Sequence, residues 1–94
     1  MIANEIKTKE LVYFEKVIEK TVRDRTQKET IFFSLYVDAV VNKPMTTSDI
    51  MDIRSWNKKY NAFCRIANYT DKISLLRKDG YNIEHHNGEY RLVI

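Results

Sequence analysis

The sequence predicts a single, mostly α-helical domain that ends in a β-hairpin, and three observations carry that prediction. Apolar residues recur at three- and four-residue steps over residues 4–23 and fill 31–41 almost completely, a helical pattern in both places. Arg77-Lys78-Asp79-Gly80-Tyr81 is a helix stop: cations at the negative end of the dipole, a glycine able to turn left-handed, then an apolar residue. Asn87-Gly88 then separates two alternating segments, and a type I′ turn needs positive φ at both of its central residues. With 94 residues, 44% of them hydrophobic, and only two glycines and one proline, the chain is long enough for one core and too apolar to be disordered.

Taken in order, residues 4–23 form an amphipathic helix on Ile6, Leu11, Phe14, Ile18 and Thr21, with Glu5–Lys9 and Glu19–Arg23 as supporting i,i+4 pairs. Asp24-Arg25 reads as a break. Thr26 and Glu29 then make a capping-box pattern before IFFSLYVDAVV, a run interrupted only by Ser34 and Asp38. A helix apolar nearly all round is expected to be buried on most sides, at the centre of the fold. Asn42-Lys43-Pro44 ends it, because the residue before proline is pushed out of the helical region.

Thr46 to Asp49 offers caps for a short helix over about 47–54, with Ile50 and Ile53 inward and Trp56 at the following corner. Residues 56–79 are helical by composition, but their apolar stripe shifts. Trp56, Tyr60, Phe63 and Ala67 define one line; Tyr69, Ile73 and Leu76 define another. One long kinked helix is the favoured reading, and a break near Asn68, with Thr70 as cap of a second helix, is the alternative. The terminal hairpin should pair His86 with Glu89, His85 with Tyr90, Glu84 with Arg91, Ile83 with Leu92 and Tyr81 with Ile94. Its apolar face is then Tyr81, Ile83, His85, Tyr90, Leu92 and Ile94, with Glu84 and Arg91 paired on the other.

Charge is unevenly distributed. Residues 1–53 hold eight Lys/Arg against nine Asp/Glu, whereas 54–78 hold seven cations (Arg54, Lys58, Lys59, Arg65, Lys72, Arg77, Lys78) against Asp71 alone. Such clustering marks a surface that meets a polyanion, most often nucleic acid. No apolar run nears the roughly 20 residues of a membrane span, and the N-terminus is too charged for a secretory signal, so a cytoplasmic protein without membrane contact is expected. Cys64 is the sole cysteine, which excludes an internal disulfide and implies a buried, inert thiol.

Ile73, Leu76-Arg77-Lys78, Gly80-Tyr81, Ile83, Gly88, Tyr90 and Leu92 form a string that resembles small winged helix-turn-helix DNA-binding proteins of bacteria and their phages. In element order the resemblance covers about residues 30–94, and it is motif-like over 73–92. It implies a helical core with the helix-turn-helix in 30–79 and a wing hairpin in 80–94; with the N-terminal helix of 1–29, which lies outside the resemblance, the expectation is one winged-helix domain over 1–94. It implies a recognition helix within 58–78, in the major groove, and a wing on the backbone or minor groove. Carried onto this chain, the DNA-binding residues are Lys58, Lys59, Asn61, Arg65, Asn68 and Lys72 on the helix and His86, Asn87 and Arg91 on the wing. If the helix breaks at Asn68, its exposed face becomes Thr70, Asp71, Ser74 and Lys78.

Other chemistry has little support. His85 and His86 are adjacent in a strand and point to opposite faces, so they cannot chelate one ion together, and no cofactor or metal is expected. No phosphate-binding glycine loop, paired nucleophile or spaced carboxylate pair points to an enzyme. The expected function is therefore binding of double-stranded DNA by a small transcriptional regulator. The alternative is a winged-helix module that docks on or inhibits a protein partner, and two roles stand open for residues 4–23, packing on the domain or pairing in a homodimer.

Overall fold

Short polar residues set the start of three helices. Thr8, Thr26 and Thr46 each take extended backbone angles and accept a hydrogen bond from an amide three residues on, those of Leu11, Glu29 and Asp49. At Thr26 and Thr46 the third residue bonds back to the cap amide, so both are complete capping boxes. The structure is a computed structural model that describes residues 7–94. The expected helix start at Asn4, the contribution of Ile6 and the Glu5–Lys9 pair lie outside the described residues.

Among the described residues four helices and five strands follow: α1 (Lys9–Glu19), α2 (Gln27–Val40), β1 (Met45–Thr46), α3 (Thr47–Met51), β2 (Arg54–Asn57), β3 (Ala62–Arg65), α4 (Tyr69–Lys78), β4 (Ile83–His86) and β5 (Glu89–Leu92). A short 3₁₀ turn, Val22–Asp24, joins α1 to α2. The first helix is therefore shorter than its apolar pattern, and Ile18 and Val22 are about half exposed. α1 packs on α2: Phe14 stacks on Phe33 and Tyr36, and Tyr13 stacks on Tyr81 and tilts against Phe32. The core joins Ile31, Phe32 and Leu35 of α2 to Ile50, Ile66, Ile73 and Leu76, and to Met45, Tyr81, Ile83, Tyr90 and Leu92 around the sheet.

α2 is covered on most sides, as expected, by α1, α4 and the sheet. Val37 and Val40 near its end, with the capping Val41, are exposed, because those neighbours leave one side of its last turns uncovered. Its end comes through a left-handed Asn42 (φ 57°), with the Asn42 amide bonded to Ala39 O and the Lys43 amide to Asp38 O. α4 ends the same way, with Gly80 (φ 99°) bonded to Arg77 O and Tyr81 to Leu76 O.

The main correction concerns residues 54–68, which are not helical. β2 and β3 form an antiparallel ribbon with Arg54 opposite Arg65, Ser55 opposite Cys64, Trp56 opposite Phe63 and Asn57 opposite Ala62. Local physics accounts for it. Asn57 Oδ1 accepts from the amides of Lys59 and Tyr60, a side-chain turn that competes with helix formation. Asn61 takes φ 51°, and the aromatic pair is one that sheets favour. Asn68 (φ 54°), not Thr70, stands at the start of α4 and makes no side-chain cap bond. The fold is accordingly less helical than predicted, with β1 and the ribbon added to the terminal hairpin. Cys64 is half-buried rather than enclosed.

The C-terminal hairpin has the predicted register over Ile83–His86 and Glu89–Leu92, and Asn87 and Gly88 both have positive φ. Tyr81, Ile83, Tyr90 and Leu92 are buried, while His85 lies on the Tyr90 ring at 4.0 Å and Ile94 is exposed. Arg91 directs Nη1 to Asn42 Oδ1 at 2.7 Å instead of closing an ion pair with Glu84. β1 pairs with β5, giving the sheet order β1-β5-β4. Among the described residues, no helix is long and apolar enough to cross a membrane.

Candidate nucleic-acid interface

The basic segment 54–78 is divided between two supports. Arg54, Lys58, Lys59, Asn61 and Arg65 lie on the β2–β3 ribbon or its turn, and Asn68, Lys72, Arg77 and Lys78 lie on or at the start of α4. The single helical face expected for Lys58, Asn61, Arg65, Asn68 and Lys72 does not exist, because the chain turns at Asn61 and again at Asn68. At both positions asparagine is explained by the left-handed backbone it tolerates.

On α4, Thr70, Asp71, Ser74 and Lys78 are exposed, as the broken-helix alternative anticipated, with Leu75 among them; Lys72 is half-buried. Ile73 and Leu76 hold the opposite side in the core. Arg77 is committed to structure: its Nε and Nη2 donate to Ile83 O at 3.1 and 2.8 Å, joining α4 to the hairpin. At the hairpin tip His86, Asn87, Gly88 and Glu89 are exposed. The amide and hydroxyl of Thr47 both donate to Gly88 O, so the tip is tied to the start of α3. Arg91, held by Asn42, is half-buried.

The ribbon presents a different surface. Strand alternation turns Ser55 into the body, where it is 3% exposed, and puts Arg54, Trp56, Phe63 and Arg65 together on the outer face. Trp56 and Phe63 meet edge to face at 5.0 Å. The Arg23 guanidinium, from the 3₁₀ turn, lies over the Trp56 ring at 4.1 Å. Arg65 Nη2 reaches Asp52 Oδ1 at 3.3 Å, an exposed pair of small energetic weight. Sequence reading missed Arg23, Trp56 and Phe63 as site residues. The available signal was the period-two alternation of Arg54-Ser55-Trp56 and Phe63-Cys64-Arg65 around an Asn-bounded turn.

His85 and His86 lie on opposite faces of β4, and among the described residues no three His, Cys, Asp or Glu side chains gather as a metal site. Compared with protein-family models, curated proteins and solved structures, the chain matches none of them.

Proposed function

We propose that this chain binds duplex DNA as a winged helix-turn-helix protein of the small-regulator type, with α4 as the groove-reading helix and the β4–β5 hairpin as its wing. The observation that carries the reading is the sheet order β1-β5-β4, with α3 tied to the hairpin turn and α4 running directly into β4. A helix with one exposed polar face beside a hairpin is a geometry suited to a groove and its flanking phosphates. On this reading Thr70, Ser74 and Lys78 face the bases, and His86 and Asn87 meet the backbone. Lys58, Lys59, Arg65 and Lys72 supply phosphate contacts. Asn61 and Asn68 serve as turn residues, and Arg91 positions the wing through Asn42.

Anisotropy of a labelled random duplex tests this. With about four phosphate contacts, affinity should fall about a hundredfold between about 50 and 200 mM salt, and Lys58→Ala/Lys59→Ala should reduce the log–log salt slope by about 2. Absence of binding at the lower salt would overturn the reading.

A specific feature favours a second reading, a docking module for a protein partner. Phe14, Tyr36, Val37, Val40 and Val41 line an open apolar groove of about 350 Å³ between α1 and the end of α2. This groove is also where α1 would meet a second copy of the chain. A change in sedimentation between the native chain and Val40→Glu/Val41→Glu would identify self-association there.

A further inference from the structure

Duplex binding as proposed gives Lys58, Lys59 and Arg65 a phosphate partner but leaves Arg54, Phe63 and Tyr60 of the ribbon without one. Residues 54–65 contain Arg54, Lys58, Lys59 and Arg65 and no carboxylate. Arg54 and Arg65 are directly opposite each other across the strands, an arrangement that like charges disfavour. The carboxylate at hand for the pair is Asp52, on Arg65. Arg23 adds a third guanidinium, and its neighbour Asp24 is engaged with the Thr21 hydroxyl at 2.8 Å. Between these cations lies Phe63, 42% exposed, and at the ribbon turn Tyr60, 64% exposed with Lys59 Nζ 5.4 Å from its ring centroid.

Phosphate alone would satisfy the arginines but would leave these aromatic rings in water. Paired bases are already stacked on one another and offer such a ring no face. A ligand that answers both features carries regularly spaced negative charge and unstacked flat rings, which is the chemistry of a single-stranded nucleic acid. We propose that the outer face of the β2–β3 ribbon is a second nucleic-acid site, which takes a single strand by stacking its bases on Phe63 and Tyr60 and its phosphates against Arg54, Arg65, Lys58 and Lys59. Arg23 and Trp56 back the site, and Trp56 keeps its edge against Phe63. Arg54, Phe63 and Arg65 are all exposed on the outer face, so it is open to a ligand that follows the ribbon.

Trp56 is the only tryptophan, so its fluorescence reports on this face directly. Titration of the full chain with oligothymidylate of about 12 nucleotides, a length within the usual range for such sites, should change that fluorescence saturably. Phe63→Ala should weaken binding about tenfold or more, and Phe63→Leu, which keeps apolar bulk without a stacking face, should do nearly the same. Arg54→Ala/Arg65→Ala should lower the salt slope by about 1.4, as two lost contacts to a single strand require. Lys78→Ala/His86→Ala should leave oligothymidylate binding unchanged.

The duplex of oligothymidylate with oligoadenylate is titrated alongside. Duplex binding without single-strand binding overturns the ribbon site and leaves the duplex reading intact, and the reverse pattern does the opposite. Single-strand binding that ignores both Phe63 variants, or that polyglutamate displaces equally well, overturns stacking on the ribbon.

Discussion

Glu29 joins two interactions at a buried position. It closes the Thr26 capping box, it pairs with Lys20 at 2.9 Å, and it is 7% exposed. Burial pushes its carboxyl upward, but hydrogen bonds from Lys20 and from the Thr26 amide and hydroxyl outweigh that, so its pKa lies below the ordinary 4.5. A carboxylate depressed in the folded state adds stability above its unfolded value, and that stability is lost as pH falls through the folded value. Glu29→Gln should therefore cost about 1 kcal/mol at neutral pH, a cap with one charged partner half in water. The difference between native and variant should narrow as pH falls below about 4. Urea melts at pH 7 and pH 3 check this; an equal difference at both would show that the carboxylate charge is not what stabilises the cap.

At the scale of elements, asparagine sets the breaks. Asn42, Asn61, Asn68 and Asn87 all have positive φ, and they end α2, turn the ribbon, open α4 and turn the terminal hairpin. Left-handed backbone costs an ordinary L-residue roughly 1–2 kcal/mol, which asparagine partly relieves and glycine avoids. Asn68→Ala should thus lower stability by about 1 kcal/mol, while Asn68→Gly should stay within about 0.5 kcal/mol of the native chain. Duplex affinity should be equal in the native chain and Asn68→Gly. A selective loss of affinity in the glycine variant would return Asn68 to a base-contacting role. This is the part of the site that a sequence leaves open: asparagine suits adenine and left-handed turns alike, and a one-dimensional pattern does not separate the two.

For the whole molecule, one core joins every helix to the three-stranded sheet, while the ribbon attaches at its edge through Ser55 and Ile66. Leu76 is fully buried where α4, α2 and the hairpin meet, and its carbonyl also accepts from the Tyr81 amide. Leu76→Ala should cost about 2–5 kcal/mol, a large share of the roughly 5–15 kcal/mol that stabilises a domain. Thermal unfolding checks it. Phe63→Ala, on the exposed ribbon face, should by contrast shift the melting temperature little, so its effect on nucleic-acid binding can be separated from folding.

Where a structural choice is made among neighbours in the chain, the sequence by itself determined it. The Thr26 box, the Thr46 cap, the Gly80 stop and the register around Asn87-Gly88 each depend on residues a few positions apart, and all are legible without coordinates. Residues 54–68 are different. Their composition reads as helical, the turn chemistry of Asn57 and Asn61 competes with that locally, and distant groups complete the ribbon: the body of the domain covers Ser55, and Arg23 covers Trp56. The exposure of Val37, Val40 and Val41 was likewise decided by tertiary structure, since an apolar residue encodes a tendency to be covered but not the presence of a neighbour to cover it. The candidate interface inherits that division: its charge was visible in the composition, and its geometry came only with the fold.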